Sequence, residues 1–298
     1  MRKLLYMGFS GLFILSLLFS CKPEDNPIQP DQPHTVTLLS TQEAVYPWYN
    51  YMTGIYDTIT FVEARYSDST RMYFRLLSQS TAEVVNYRGF YPPAQESQGW
   101  IYRGDVEIPE SFTHWGNNYS VVSIGESAFG SGSWGLDGYY DYAASLVTSV
   151  KIPSSVTSIG YRSFCGCKSL NSVEILGPVT MINRDAFNSC INLETITLPS
   201  TVTAMASGAF EECSSMTEFT IPKLVSEMGS SVFGFDTTPL KTLTCLPLEP
   251  PVKAVWDSYG EDFFLPESLE TIYVPASSVD AYKTSQYWGQ FASIIVGQ

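Results

Sequence analysis

The 298-residue sequence is poor in histidine and in positive charge. His34 and His114 are its two histidines, one in a polar N-terminal stretch and one read as a loop residue. Two isolated imidazoles cannot build a histidine-based metal site or a nucleophile–histidine–carboxylate triad. Lys and Arg number 16 against 30 Asp and Glu, a formal charge of −14. A surface of that sign repels nucleic acid and anionic lipid headgroups, so neither is expected as a direct partner. Acidic pairs such as Glu211–Glu212 and Glu261–Asp262 fall in expected loops and are tied to no cleft, so they read as solvated surface and not as a glycosidase pair. A literal G-x-G-x-x-G, Gly130, Gly132 and Gly135, lacks the buried strand before it and the crossover helix after it that a dinucleotide loop requires. No catalytic residue, cofactor or metal is expected, and the chain is not read as an enzyme.

What is present starts at the N-terminus. Arg2 and Lys3 precede an almost unbroken apolar run, residues 4–19, and then "LFSC" ending at Cys21. A basic start, a short apolar core and a small residue at the end make a signal peptide over residues 1–20. The small Ser20 before Cys21 resembles the lipobox of bacterial lipoproteins, which implies lipidation of Cys21 and contact with membrane through that anchor alone. Removal of Arg2 and Lys3 with the signal brings the formal charge to −16. Residues 21–34, "CKPEDNPIQPDQPH", have little to bury and read as a disordered tether. Glu24 and Asp25 after Lys22 resemble an export tag to the outer face of the outer membrane. The expected location is therefore the outer membrane, facing outward, with the periplasmic face as the alternative.

Internal repetition dominates the rest. The blocks "IGESAF", "IGYRSF", "INRDAF", "MASGAF" and "MGSSVF" end at Phe129, Phe164, Phe187, Phe210 and Phe233, and the last four phenylalanines are each 23 residues apart. Cys167, Cys190 and Cys213 follow their phenylalanines by three; Leu170, Leu193 and Met216 follow by six; Asp236 and Pro239 break both columns in the last copy. Short alternating segments closed by proline, "VEIP", "VKIP", "ITLP", "FTIP" and "IYVP", read as strands of three or four residues that proline stops because it cannot donate to a ladder. In the block, Gly or Asn at the second position is expected to serve a tight turn with φ > 0. One unit cannot bury its apolar face alone, whereas stacked units form continuous internal ladders.

These columns and their period resemble the BspA-like branch of the leucine-rich repeats. The resemblance implies a solenoid of short strands stacked in a parallel sheet, with a β N-terminal cap and a short helical C-terminal cap. It also implies a bacterial surface protein that adheres to host or bacterial proteins. The expected organisation is a β-rich N-terminal region and cap over 35–101, the solenoid over 102–275 and the C-terminal cap over 276–298. Residues 72–93 read as two strands joined by a polar turn. Two earlier strand-like runs, "TVTLL" and "YDTITFVEARY", flank Tyr46, Trp48, Tyr49 and Tyr51, and whether they form more cap or a separate module is left open. Tyr282, Trp288 and Phe291 recur at helical spacing and predict one capping helix.

The five cysteines beyond Cys21 are Cys165, Cys167, Cys190, Cys213 and Cys245. Because three share a repeat column they predict a ladder of free thiols, with a single disulfide between layers as the alternative. Phe129 and Phe164 are 35 residues apart where 23 are expected. The surplus of 12 falls within the aromatic stretch "GSGSWGLDGYYDYAA", residues 130–144. Insertions in repeats map to loops on one face, often the binding face. Trp134, Asp137, Tyr139, Tyr140, Asp141 and Tyr142 are the candidate ligand-binding residues, for a protein or, alternatively, a glycan; a segment tucked back against the N-terminal cap is the competing expectation.

Overall fold

Two parallel ladders run through the repeat region of the computed structural model, which describes residues 38–50, 55–66, 71–85, 102–130, 146–234, 238–256 and 265–298. The alternating segments form the first ladder in two pieces. One contains β5 (Arg103–Glu107), β8 (Leu146–Ile152), β10 (Ser172–Ile175) and β12 (Thr195–Thr197). The other contains β14 (Glu218–Ile221), β16 (Thr242–Cys245), β18 (Thr271–Val274) and β19 (Ile295–Gly297). Alternation is literal: Val173 and Ile175 of β10 are buried while Ser172 and Glu174 face water, as the period of two requires.

The second ladder is built from the first residues of each phenylalanine block. It runs from β7 (Asn117–Ile124) through β9 (Ser158–Ile159), β11 (Met181–Ile182), β13 (Ala204–Met205) and β15 (Glu227–Met228) to β17 (Val252–Lys253), all parallel. Strands of two residues carry no readable alternation, and their order comes from the layers above and below. Ile124, Ile159, Ile182, Met205 and Met228 point inward from this ladder and are buried. They meet the phenylalanines, which stack ring on ring: 4.9 Å between Phe129 and Phe164, 5.1 Å between Phe164 and Phe187, 5.5 Å between Phe187 and Phe210. Interplanar angles for these three pairs are 9°, 2° and 1°.

The glycine at the second block position does not serve a positive φ. Left-handed backbone falls two residues later, at Ser127, Arg162, Asp185 and Gly208, and again at Gly166, Ser189 and Glu212. Gly160 is there because its neighbour in the previous layer comes too close: a Cβ would lie 2.9 Å from the Ile124 carbonyl oxygen and from the Glu126 amide nitrogen. Close approach of backbone and not conformational freedom selects it.

All five described cysteines are free, which decides between the two cysteine expectations. The thiols of Cys167, Cys190 and Cys213 donate to the carbonyls of Phe129, Phe164 and Phe187 in the preceding layer, at 3.2, 3.2 and 3.3 Å. The column does not break after Cys213. Thr238 Oγ1 donates to the Phe210 carbonyl at 3.0 Å, and the buried Leu240 continues the column of Leu170, Leu193 and Met216. Thr238 lies two residues, and Leu240 one residue, beyond the expected spacing from Phe233.

The N-terminal strands belong to the same sheet as the second ladder. β1 (Leu38–Asn50), β2 (Ile55–Tyr66), β3 (Arg71–Leu76) and β4 (Thr81–Val85) form an antiparallel meander, and β4 pairs parallel with β7. Tyr46, Trp48 and Tyr49 lie within β1 and not between two strands; Tyr51 lies outside the described residues. β3, β4 and the Ser78-capped turn joining them match the expected polar-turn hairpin. β6 (Ser111–His114) pairs antiparallel with β7 and reaches back to β1, where Thr41 Oγ1 donates to the Thr113 carbonyl at 3.4 Å. Tyr102 joins this cap to the solenoid. Its ring covers Phe129, the first of the stack, at 4.5 Å, and its hydroxyl donates to the Val85 carbonyl; burial raises its pKa far above the usual phenol range.

The C-terminal cap is not one helix. α1 (Val279–Thr284) has six residues, flanked by 3₁₀ turns at Ala276–Ser278 and Gly289–Phe291, and the chain then returns as β19 alongside β18. Helical geometry stops because Tyr282 and Trp288 are anchored by polar atoms to the last layers: Tyr282 Oη donates to the Pro247 carbonyl at 3.0 Å and Trp288 Nε1 to the Pro251 carbonyl at 2.8 Å. Both rings are fully buried, whereas Phe291 is only partly so.

A test of the thiol ladder follows. Cys190→Ala removes one of the two donors to the buried Phe164 carbonyl, which still accepts from the Cys167 amide at 3.1 Å, and costs about 0.5–1.5 kcal/mol. Cys190→Ser supplies a hydroxyl, as Thr238 does, and is expected to cost less in urea unfolding. Added dithiothreitol leaves the wild-type Tm unchanged; a fall of several degrees would reveal a disulfide.

Candidate interaction surface

The ladder does not notice the insertion. Phe129 and Phe164 stack as closely as the uninterrupted pairs, the Phe129 amide donates to the Ser163 carbonyl at 2.7 Å and the Phe164 amide to Ala186 at 2.8 Å. Gly130, the last described residue before the insertion, is buried, and a Cβ on it would lie 2.7 Å from the Arg162 carbonyl oxygen. The chain resumes at Leu146, which starts β8 beside Arg103 of β5 and is exposed. The insertion therefore leaves from the phenylalanine flank and returns to the first strand ladder. Trp134, Asp137, Tyr139, Tyr140, Asp141 and Tyr142 lie outside the described residues, as do Cys21, the signal peptide and the tether.

The flank where the insertion is rooted carries a polar group of residues. Arg162 Nε donates to Asp185 Oδ2 at 3.1 Å, and its guanidinium lies 4.9 Å from the Tyr161 ring centroid. Asn188 Nδ2 donates to Glu211 Oε2 at 3.1 Å, and Ser189 Oγ to Glu212 Oε2 at 2.6 Å. These are side chains 23 residues apart, one layer to the next, so the period places donors over acceptors. Glu211 is half-buried, a correction to its reading as fully solvated surface. Burial raises its pKa, the carboxylates of Asp185 and Glu212 raise it further, and the Asn188 hydrogen bond opposes them.

The thiols offer no nucleophile. Burial pushes Cys165 up to about 11 and Cys213 to about 12, and raises Cys190 and Cys245 well above the ordinary thiol. At neutral pH all four are protonated, and the thiolate is the reactive form. Among the described residues no group of three or more His, Cys, Asp or Glu is placed to hold a metal ion.

The outward face of the first ladder carries hydroxyls in register. Ser149, Ser172 and Thr195 stand in register across three strands, and Thr244 beside Tyr273 across two more. Lys151–Glu107 and Lys241–Glu270 pairs, at 3.2 and 3.1 Å, are exposed and add little to stability.

Six copies of the BspA type leucine rich repeat region match residues 138–247. Residues 138–247 are thus similar to the BspA-type leucine-rich repeat. Among solved structures it is similar to a leucine-rich repeat protein from Bacteroides ovatus, 27% identical, over 68% of this chain and 53% of that one, with a TM-score of 0.43. The chain thus spans about half the length of that protein. It is also similar to the T. pallidum leucine rich repeat protein, 21% identical, over 78% of this chain and 92% of that one, with a TM-score of 0.45. A leucine rich cell surface protein from Faecalibacterium prausnitzii, 23% identical, covers 70% of each chain, with a TM-score of 0.33. No curated protein matches. The parallel strand ladder continues beyond the matched residues, through β18 and β19.

His114 is not a loop residue. It ends β6, is buried, and its ring nitrogens contact Thr41 Oγ1 at 2.9 Å and Glu43 Oε1 at 3.4 Å. The turn is the two residues after it, Trp115 and Gly116, with φ of 48° and 76°. Trp115 is 77% exposed and went unremarked in the sequence. "HWGNN" between two alternating runs was the available signal for a two-residue hairpin.

The Glu211 carboxyl gives a pH test. A carboxyl whose folded pKa is raised contributes stability that is present below its unfolded value and lost as pH rises through the folded one. Glu211→Gln removes that loss and keeps an acceptor for Asn188. The variant is expected to melt higher than wild type at pH 7, with the difference gone by about pH 4; equal Tm at both pH values would contradict the arrangement.

Proposed function

We propose that the chain is a non-catalytic interaction scaffold at the bacterial surface, whose partner is a protein of the host or of a neighbouring cell. The carrying observation is that the phenylalanine stack crosses the insertion at 4.9 Å, within the spacing of the uninterrupted layers. Twelve surplus residues that leave their scaffold unstrained are free to be chosen for what they bind and not for what they hold together. One tryptophan and three tyrosines among them are the residue types that dominate protein interfaces. The described polar groups support a scaffold in another way: the thiols are protonated, the arginine is paired, and hydroxyls and amides bridge layers.

The same aromatic stretch supports a second reading, a glycan-binding surface lipoprotein in which sugar rings stack on Trp134 and Tyr140. In either reading Cys21 bears the lipid anchor in the outer membrane, and the acidic body stays off the bilayer surface.

The deciding variant deletes residues 132–143 and so restores the 23-residue period. Its Tm is expected within a few degrees of wild type. Immobilised wild-type chain is expected to capture a defined protein from host secretions or co-resident bacteria, and the deletion to lose it. Identical capture by both sinks the loop as the site; a glycan-array signal lost on deletion, with no protein captured, supports the second reading. Protease added to intact cells is expected to cleave the chain, and full protection would place it in the periplasm.

A further inference from the structure

Trp115 occupies a position that its own side chain disfavours. Positive φ at both central residues of the β6–β7 hairpin makes a type I′ turn, for which Asn, Asp or Gly is the usual first residue because a β-carbon crowds the backbone there. Gly116 meets that demand at the second position; Trp115 does not meet it at the first. Nor does the indole gain burial, since 77% of it faces water. A bulky residue held in a strained conformation without a core to fill calls for a reason in binding.

The surroundings preorganise the ring. One face of the indole stacks on the His114 imidazole, with centroids 4.9 Å apart and planes within 19°. That imidazole is itself buried and fixed by Thr41 and Glu43 of β1, so the tryptophan rests on a clamped support. The described residues flanking it in the hairpin, Thr113, Asn117 and Asn118, are polar and exposed, and Glu43 of β1 contacts the same imidazole. Among the described residues, no exposed large apolar side chain other than Trp115 lies in the hairpin or in residues 40–43 of β1. A protein hot spot surrounds its tryptophan with an apolar shell that excludes water, and the described residues of the hairpin and of β1 supply none.

We propose that Trp115 is a carbohydrate-stacking site. Its open face takes the C–H face of a pyranose ring, whose weakly positive hydrogens suit the negative face of the indole. The Asn117 amide, opposite His114 in the hairpin, and the Glu43 carboxylate, which contacts the same imidazole, are the nearest established polar groups for the sugar hydroxyls. The site uses no residue of the insertion and stands or falls apart from it.

The test uses the full chain on a glycan array, with Trp115→Asn as the principal variant. Asparagine followed by Gly116 is the preferred type I′ pair, so this variant keeps the hairpin and is expected to melt as high as wild type or about 2–4 °C higher. Wild type is expected to bind at least one glycan, Trp115→Asn to bind it at least tenfold more weakly, and Trp115→Phe to fall between them. The chain lacking residues 132–143 is expected to bind that glycan as wild type does. Absence of any glycan signal overturns the proposal, as does equal binding by wild type and Trp115→Asn. Glycan binding lost with the insertion and kept in Trp115→Asn overturns it too, as does a captured protein, with no glycan, whose binding requires Trp115.

Discussion

Each layer of the repeat is tied to the next through the backbone of one phenylalanine. The amides of Phe129, Phe164, Phe187 and Phe210 donate to the carbonyls of Ser163, Ala186, Ala209 and Val232, at 2.7 to 2.9 Å. Their own carbonyls accept from Cys167, Cys190, Cys213 and Thr238. Both polar groups of each phenylalanine are thereby satisfied by the following layer, in a place where no water reaches them. The ring can then be wholly apolar and wholly buried. A cysteine suits the donor position because the thiol is small enough for the core and polar enough to give a weak hydrogen bond.

This constraint explains what the rest of the chain is permitted to do. At each end the stack must meet something other than another layer. Tyr102 covers the first ring and sends its hydroxyl into the N-terminal cap; Tyr282 and Trp288 cover the last layers and donate to the carbonyls of Pro247 and Pro251. In each case the capping side chain is an aromatic with one polar atom, so a single residue supplies both apolar cover and a hydrogen bond. Between the caps, chain can be added wherever it does not pass through the stack. The insertion after Gly130 does so, and layer spacing is kept on both sides of it. Function on such a frame is expected where residues serve no layer contact, and Trp115 meets that description.

The repeat was legible because its spacing is set by hydrogen bonds between layers, which forces the same residue type into the same place every 23 residues. Phenylalanine, cysteine and leucine columns all follow from that. The second parallel ladder was not legible: strands of two residues, such as Met181–Ile182, have no periodicity of their own and exist because neighbours above and below hold them. Gly160 was seen but misassigned, since a sequence cannot tell close approach from positive φ. β19 was hidden in an apolar segment read as the end of a helix. The polar flank around Arg162, Asp185 and Glu211 escaped notice because its members come from different layers. The insertion stood out by arithmetic alone, whereas Trp115, one residue in a two-residue turn, disturbed no period.

Amide hydrogen exchange tests the central claim most directly, that the phenylalanine column runs unbroken across the insertion. The amides of Phe129, Phe164, Phe187 and Phe210 are predicted to exchange together in the slowest class, because each is buried and bonded to the following layer. A Phe129 amide that exchanges orders of magnitude faster than the other three would show that the stack is broken at the insertion, and would contradict the account.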